Sequence, residues 1–534
     1  MKNYLTLIST LLFLAPAAHA ELTELARLYG PPEGTGFYHI CAPGDVNGDG
    51  FDDFIISSPT RNREVRECEN GYARLYFGSN PIDTSNYITI PAVCNEYQTP
   101  YDNLFGYHSA KVGDINNDGF ADFLIGDPGY FNYWTERAGA GFVYFGGPAI
   151  DTLPSWQLIG DWWYGATYFY GDGDVNGDQY NDVVMGITDH FPHMPAYIFL
   201  GGESPDTLYD FKLGPYHPDS SVISKPRIIG DYNGDGIDDI IIGDPDYGGG
   251  GSNGMAYMYF GSETGFYDPD LIFEHRGGWT FGIMTYGTDW NNDGYTDLFI
   301  ACSQDSVFGY KGSENPDATC DVIFTSEPWN FGERISGGDL NGDGYPDLAI
   351  SYNDWTGAYL AQGRVLIYYG GDQPDTIPDV IICGAEEYQF FGKEIAFPGD
   401  INGDGYQEFM ASSFFRFDQT RAFVTIFTTG DVSVPDDGRV PNEYDYNLTS
   451  YPNPFNSSTN IEFFLPLSSS VKVTVYNLSG REVIVLEDSV RPKGKNRITW
   501  EGKDEQGNKL SSGVYFIVLK TEYAVSSCKA VIIK

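Results

Sequence analysis

The sequence predicts an all-β chain, a seven-bladed β-propeller followed by a small β-sandwich. Two observations lead there. An acidic nonapeptide, D-x-N-x-D-G-x-x-D, recurs seven times between residues 45 and 408, with Gln179 for the Gly in one copy and Glu408 for the last Asp in another, each time just ahead of a short apolar run. Beyond residue 430 the nonapeptide stops, and alternating strands separated by turn residues take over.

Composition agrees with this class. The 534 residues include 65 Gly, 31 Pro and 16% aromatics within a hydrophobic fraction of 41%. That mixture supplies packed cores joined by many turns and argues against long helices and disorder. Asp and Glu number 75 against 30 Lys and Arg, a formal charge of −45. Such a surface repels phosphate backbones and anionic lipid, which excludes nucleic acid as a partner and makes divalent cations natural ones.

Four segments follow in order: a signal peptide over 1–20, a propeller over 21–430, a linker over 431–443 and a second domain over 444–534. The first places Lys2 before an apolar run from Leu5 to Leu14 and ends on Ala18-His19-Ala20, the pattern of a cleaved secretory signal. No Cys follows it for a lipid anchor, and no later stretch is apolar enough to cross a bilayer, so the mature chain is expected to lack a transmembrane segment. Seven Cys, an odd number, leave at least one unpaired or bridging between chains. Export permits disulfides. Cys68 with Cys94 is the expected pair, because the repeat puts both near one end of one blade.

The nonapeptides begin at Asp45, Asp114, Asp174, Asp231, Asp289, Asp339 and Asp400, with spacings of 69, 60, 57, 58, 50 and 61 residues. Each interval holds four short strands and their turns, the content of one propeller blade. The apolar runs that follow, from Phe54-Ile55-Ile56 to Phe409-Met410-Ala411, read as buried strands. Aromatic alternating strands come next, as in Tyr72 to Gly78, Phe142 to Gly146 and Tyr257 to Gly261, and a fourth strand is exemplified by Tyr87 to Ile90. The strand before each loop often opens with Phe-Gly, at Phe105-Gly106, Phe281-Gly282, Phe331-Gly332 and Phe391-Gly392. The last unit, ending near Thr428, lacks an outer strand. Glu24 to Tyr29 sit before the first loop as Trp156 to Ile159 sit before the third, so they are expected to close the ring by pairing with blade seven.

Hard oxygen donors at alternating positions around a Gly-assisted turn suit Ca²⁺, which takes 6 to 8 oxygens. The candidate ligands, with position 7 acting through its backbone carbonyl, are Asp45, Asn47, Asp49, Phe51 and Asp53; Asp114, Asn116, Asp118, Phe120 and Asp122; Asp174, Asn176, Asp178, Tyr180 and Asp182; Asp231, Asn233, Asp235, Ile237 and Asp239; Asp289, Asn291, Asp293, Tyr295 and Asp297; Asp339, Asn341, Asp343, Tyr345 and Asp347; and Asp400, Asn402, Asp404, Tyr406 and Glu408. Up to seven Ca²⁺ are expected. Gln179 replaces the turn Gly of the third loop, which is expected to bind most weakly. Two other readings bear on these loops. They could be metal-free Asx-turns, although ordinary turns do not require acids at the same positions seven times. They could belong to a helix–loop–helix hand or a dockerin module, but the hand requires Glu at position 12. This sequence has Ile56, Ile125, Met185, Ile242, Ile300, Ile350 and Ala411 there.

Phe-Gly ahead of the loop, D-x-N-x-D-G-x-x-D within it, and small residues with Pro after it (Ser58-Pro59, Asp127-Pro128, Asp244-Pro245) together resemble the FG-GAP repeat family, whose best-known members are integrin α-subunit head domains. The resemblance spans about residues 24 to 430. It implies a seven-bladed propeller with calcium in hairpin loops on one face and ligand recognition commonly on the other. It carries over no integrin partner.

In the carboxy-terminal segment, strands are expected at Asn460 to Leu465, Val471 to Asn477, Glu482 to Leu486, Arg497 to Trp500, Gly513 to Leu519 and Cys528 to Ile533. Tyr451-Pro452-Asn453-Pro454-Phe455-Asn456, Val475 to Glu482, Trp500-Glu501-Gly502 and Ser512-Gly513-Val514-Tyr515 resemble the type A sorting domain of the type IX secretion system and the immunoglobulin-like domain of flagellar hook-capping proteins. The resemblance implies an immunoglobulin-like β-sandwich that engages secretion machinery, with periplasmic transit followed by release or attachment to the outer cell surface. A packing module without a sorting role is the plainer reading.

Catalytic motifs are weak. Gly250-Gly251-Ser252-Asn253-Gly254 fits G-x-S-x-G, but it precedes a strand, whereas a nucleophile elbow joins strand to helix. His190 and His193 lack the H-E-x-x-H helix of a zinc protease. No catalytic residue and no organic cofactor is assigned. Aromatic residues crowd the loops expected opposite the acidic ones: Tyr130, Phe131, Tyr133, Trp134, Trp162, Trp163, Tyr164, Phe191, Tyr247, Trp279, Trp329, Trp355, Phe414 and Phe415. Aromatic planes among Asp and Asn can stack on sugar rings while bonding their hydroxyls. The expectation is a secreted or cell-surface calcium-binding module, non-catalytic, that recognises an extracellular glycan or protein ligand. The alternative is an exported polysaccharide-degrading enzyme, a lyase or glycosidase built on a propeller.

Overall fold

The computed structural model describes residues 22–29, 39–59, 71–93, 104–130, 139–159, 166–187, 195–205, 207–214, 224–245, 253–276, 280–302, 306–326, 331–415, 422–430, 448–465, 469–477, 481–492, 494–504, 506–521 and 525–533. The expected signal peptide, the linker and the Cys68–Cys94 pair lie outside these residues. Every regular element among the described residues is a β-strand. The chain divides into two compact units, one taking residues up to 354 with 363–384 and 390–433, the other 355–362, 385–389 and 434–534.

Among the described residues the first unit contains seven four-stranded antiparallel sheets. Each begins with an inner strand: His39–Gly44, His108–Gly113, Ala166–Tyr170, Ser224–Gly230, Met284–Thr288, Ile335–Gly338 and Ile395–Gly399. Each inner strand lies beside the next, and the seventh lies beside the first, so the sheets close into a ring as the blades of a propeller. The acidic nonapeptide follows each inner strand and hairpins it to the second strand of the same blade. Where their side chains are described throughout, these second strands are buried at every residue, for example Asp53–Ser58, Asp122–Asp127 and Asp239–Asp244. The apolar runs in the sequence are those strands, hidden on both sides by neighbouring blades.

Two details differ from the sequence pattern. Phe-Gly does not open the inner strand but forms the turn before it: Gly106, Gly282, Gly332 and Gly392 have φ of +83°, +89°, +88° and +81°. Their N–H groups donate to the second strand, as Gly106 does to the Gly126 carbonyl at 3.0 Å. The buried Phe of each pair anchors the turn. The third strands also end two residues sooner than their aromatic pattern, at Tyr76, Tyr144 and Tyr259, because the Gly beyond each leaves the sheet to meet the acidic loop.

Ring closure is made by the amino-terminal strand. Thr23–Tyr29 pairs antiparallel with Phe423–Thr428 as the outer strand of the seventh sheet, with Leu28 opposite Val424. Leu28 is buried in a cluster with Ile40, Phe54, Met410 and Ile426, drawn from both the first and the last blade. Segments nearly four hundred residues apart thus form one core.

In the second unit, Thr449–Tyr451, Thr459–Leu465 and Gly494–Trp500 form one sheet, and Glu482–Arg491, Ser469–Asn477, Gly513–Thr521 and Val525–Ile532 form another. They share a core of Ile461, Phe463, Val473, Trp500, Ile517 and Leu519. The Pro-Asn-Pro-Phe segment is tied to the final strand. Asn453 donates to the Lys529 carbonyl at 2.6 Å and accepts from the Val531 N–H at 2.8 Å, while Phe455 is buried against Trp500.

Closure through Leu28 predicts that Leu28→Ala lowers unfolding free energy by about 2–4 kcal/mol, the cost of a large core truncation. Denaturant titration checks this, and a loss below about 0.5 kcal/mol would mean the strand does not hold the ring.

Candidate functional site

Each nonapeptide folds through its own side chains. In the first, Asp45 accepts the N–H groups of Gly48 and Asp49 on Oδ1 at 2.7 and 3.2 Å and that of Gly50 on Oδ2 at 2.8 Å. Asn47 Oδ1 accepts the Asp49 N–H at 2.8 Å, and Asp49 Oδ1 accepts the Phe51 N–H at 3.0 Å. Asn47 Nδ2 donates to Asp49 Oδ2 at 2.9 Å. The amide-to-carboxylate bond recurs in all seven loops. Short polar side chains hold tight turns in this way, so the Asx-turn bonding is real and needs no metal.

Position 9 points inward. Asp53 accepts the Val46 N–H at 3.0 Å on one oxygen and the Gly78 N–H at 2.9 Å on the other, joining the loop to the end of the third strand. Asp122, Asp182, Asp239 and Asp347 repeat both bonds. Burial pushes these carboxyls up to about 7, aided by repulsion from positions 1 and 5 and opposed by the amide bonds. Two loops vary. Asp297, raised alike to about 7, keeps the Gly312 bond at 3.2 Å, but Trp290 turns its N–H to the Thr288 carbonyl. The longer Glu408 reaches Asn402 Nδ2 as well as the Ile401 N–H, and burial takes it to about 8.

The loops also join blade to blade. The position 2 carbonyls of Val46, Ile115, Val175, Tyr232, Trp290 and Ile401 accept the N–H of Gly147, Gly202, Ser262, Ser313, Gly371 and Ser79, each from the next blade. At the seventh junction the Leu340 carbonyl accepts the Thr429 hydroxyl. The position 2 side chains are buried in every copy. Position 7 acts across the same junction through its side chain. A Cβ on Gly48 would meet Phe120 at 2.4 Å, one on Gly234 would meet Tyr295 at 2.2 Å, and one on Gly403 would meet Phe51 at 2.6 Å. The always apolar position 2 was the signal for this joint.

The candidate ligands are therefore brought together loop by loop, although not as a preformed cluster: among the described residues no three acidic, His or Cys side chains converge as a metal site. The donor chemistry still fits a hard cation. The candidate ligand positions of each loop offer only oxygens apart from one Asn amide, and a carboxylate oxygen that accepts one N–H retains a lone pair. Positions 4 to 6 are exposed in every copy except at Asp404, which is half-buried.

The aromatic face is less accessible than its sequence suggests. Tyr130 and Phe415 are buried, packed on Phe142 and Phe423 at ring distances of 5.3 and 6.1 Å, and so act as core. Trp355 and Phe414 are half-buried. The other ten aromatics, His190, His193 and Gly250 to Ser252 lie outside the described residues. The chain from Asn253 to Tyr259 is strand, without the helix an elbow requires.

One feature had no sequence signal. All seven inner strands line an axial cavity of about 440 Å³, where Lys111, Lys225, Arg227 and Arg334 meet His39, His108 and four Tyr. Arg334 pairs with Glu394 through Nε–Oε2 at 2.9 Å and a second bond at 2.6 Å, and Lys111 pairs with Asp172 at 2.7 Å. Burial holds His39 and His108 below the usual histidine range.

Three substitutions test the loop geometry. Gly48 and Gly50 both have positive φ, of +75° and +91°, but only Gly48 lies under a neighbour's ring. Gly50→Ala is expected to cost about 1 kcal/mol of backbone strain and Gly48→Ala about 1 kcal/mol more. Equal melting temperatures for the two variants would remove the cross-blade contact. Gln179 sits at φ +74° with its N–H still on Asp174 Oδ2 at 2.6 Å. Gln179→Gly should stabilise the fold by about 1 kcal/mol, read by denaturant titration, and a loss of stability would contradict this.

Comparison with known proteins agrees with this architecture. Residues 38–76, 105–145 and 331–368 match the FG-GAP repeat, and residues 449–534 match the secretion system C-terminal sorting domain. The chain is 38% identical over 178 residues to integrin alpha-5 of Xenopus laevis and 28% identical over 178 residues to integrin alpha-8 of Gallus gallus, in each case over 31% of this chain and 16% of the relative. It thus spans only about a sixth of those proteins. A solved structure of PorZ, titled an essential bacterial surface component of the type-IX secretion system of Porphyromonas gingivalis, aligns with a TM-score of 0.41 at 12% identity, over 95% of this chain and 60% of that one. A fungal alcohol oxidase aligns with a TM-score of 0.39 at 8% identity, over 96% of this chain and 99% of that one. Neither likeness carries weight for function. No helix among the described residues is long and apolar enough to cross a membrane. The sorting domain implies contact with the secretion machinery and export by type IX secretion to the cell surface or beyond. The chain carries FG-GAP repeats, similar in sequence to part of integrin α-subunits, and a C-terminal secretion sorting domain.

Proposed function

We propose that the exported propeller binds calcium in its acidic loops and recognises an extracellular glycan or protein without performing chemistry on it. The observation that carries this reading is the sevenfold recurrence of an oxygen-only loop at the blade junctions of an exported chain. Positions 1, 3 and 5 would hold the ion with their free lone pairs, together with the position 7 carbonyl and the position 9 carboxylate. The bond from Asn Nδ2 to the position 5 carboxylate occupies oxygen capacity that a cation would take instead. Because each loop is also a joint, an ion there would add stiffness to the ring. Up to seven ions can be held, the Gln179 loop most weakly.

Calcium that binds only the folded state adds about 2.7 kcal/mol per independent site at a hundred times its dissociation constant. Chelation is therefore expected to lower the melting temperature, and added Ca²⁺ to restore it where Mg²⁺ does not. If melting and protease resistance are the same in EDTA and in millimolar calcium, with the starting protein shown metal-free, the calcium reading fails.

The second reading, an exported polysaccharide lyase or glycosidase, is favoured by one observation: the axial cavity gathers His39, His108 and Tyr168 around the Arg334–Glu394 pair. Fold alone does not choose between binding and turnover. A glycan array combined with reducing-end and unsaturated-product assays does. Binding without product supports the module, and product formation supports the enzyme.

A further inference from the structure

We propose that the axial cavity is a binding site for a carboxylate-bearing sugar, a uronic acid residue, whose carboxylate is held between Lys225 and Arg227. Both cations lie on the fourth inner strand and line the cavity. The neighbouring cations are already matched, Arg334 by Glu394 and Lys111 by Asp172. Asp238, the remaining lining carboxylate, accepts the Asp174 N–H at 2.9 Å. Among the described residues neither Lys225 nor Arg227 has a carboxylate within ion-pair distance. Their contacts are tyrosine faces: Lys225 Nζ lies 5.0 Å from the Tyr168 ring, and the Arg227 guanidinium lies 4.3 and 5.3 Å from Tyr170 and Tyr286. A ring face offsets part of the desolvation of a cation but leaves its hydrogen-bond donors open.

Charge and size narrow the ligand. The chain has a net charge of −45, so Arg227 and, when protonated, Lys225, enclosed at the centre of the ring without a carboxylate in ion-pair reach, stand out against the overall field. One carboxylate bridging them would complete the charge pairing already present at Arg334 and Lys111. The cavity of about 440 Å³ exceeds what an inorganic ion fills and lies in the range of small-molecule sites. Tyrosine rings supply stacking walls. His39, with Nδ1 3.0 Å from Ser109 Oγ, and His108 are held neutral by burial and can exchange hydrogen bonds with hydroxyls.

Protonation follows from the same geometry. Burial, then the charge of Arg334, pushes Lys225 down to about 7, with Arg227 acting in the same direction and Glu394 and Glu333 opposing. A bound carboxylate favours the protonated amine, so binding takes up a proton and weakens as pH rises through 7. This site is separate from the acidic loops and does not depend on the calcium reading.

The test is titration calorimetry with D-galacturonate, D-galactose and sodium sulfate, in saturating calcium, at pH 6 and pH 8. Galacturonate is expected to bind, more tightly at pH 6, while galactose and sulfate bind at least about tenfold more weakly, as expected when charge-assisted hydrogen bonds or sugar contacts are lost. Lys225→Gln and Arg227→Gln should each weaken galacturonate by about tenfold, with near-UV circular dichroism verifying the fold. Galactose or sulfate matching galacturonate, no galacturonate binding, or undiminished binding in both folded variants would overturn the assignment. Should a variant not fold, the comparison of acid with neutral sugar on the unsubstituted protein still decides.

Discussion

The structure depends on a backbone carbonyl at position 2 of each acidic loop. In six of the seven loops the position 9 carboxylate holds the position 2 residue through its N–H, and the carbonyl of that residue turns out of its own hairpin. It is satisfied by the next blade, six times by an N–H and once by the Thr429 hydroxyl. A buried unpaired carbonyl is costly, so each blade requires its neighbour in place. Together with Phe120 over Gly48 and Phe51 over Gly403, this makes the acidic motif a joint first and a turn second.

That joint explains why a chain with so few cations tolerates acids at its blade junctions. Most of the electrostatic cost is met locally, by N–H groups aimed at the carboxylates of positions 1, 5 and 9. What remains appears at the buried position 9, where desolvation and the two neighbouring acids favour the protonated form. A divalent ion on the outer lone pairs would reverse that preference and tighten the joint.

The fold was legible because its signals are local and repeated. The seven apolar runs announced the second strands, and the offset of Glu24 to Tyr29 from the first loop located the closing strand. Phe-Gly was visible as a motif, but its positive-φ turn was not, since the pattern records which residues recur and not the backbone that requires them. The apolar residue at position 2 was equally visible, as Val46, Tyr232 or Trp290, but its meaning appears only when the neighbouring blade supplies the donor. Tyr130 and Phe415 show the reverse: some of the aromatic loop residues were bound to be packing residues, and burial identifies these two. The axial cavity was out of reach. His39, Lys225 and Glu394 belong to different blades, and only closure of the ring brings them to one axis.

We propose that these blade joints are also cation sites. It is tested most directly by measuring the calcium content of the full chain by mass spectrometry after equilibration in calcium and gel filtration, beside a variant with Asp49→Asn and Asp118→Asn. The account predicts several calcium ions per chain, up to seven, and fewer in the variant. Retention of no calcium by the folded chain, or equal retention by the two proteins, would contradict it.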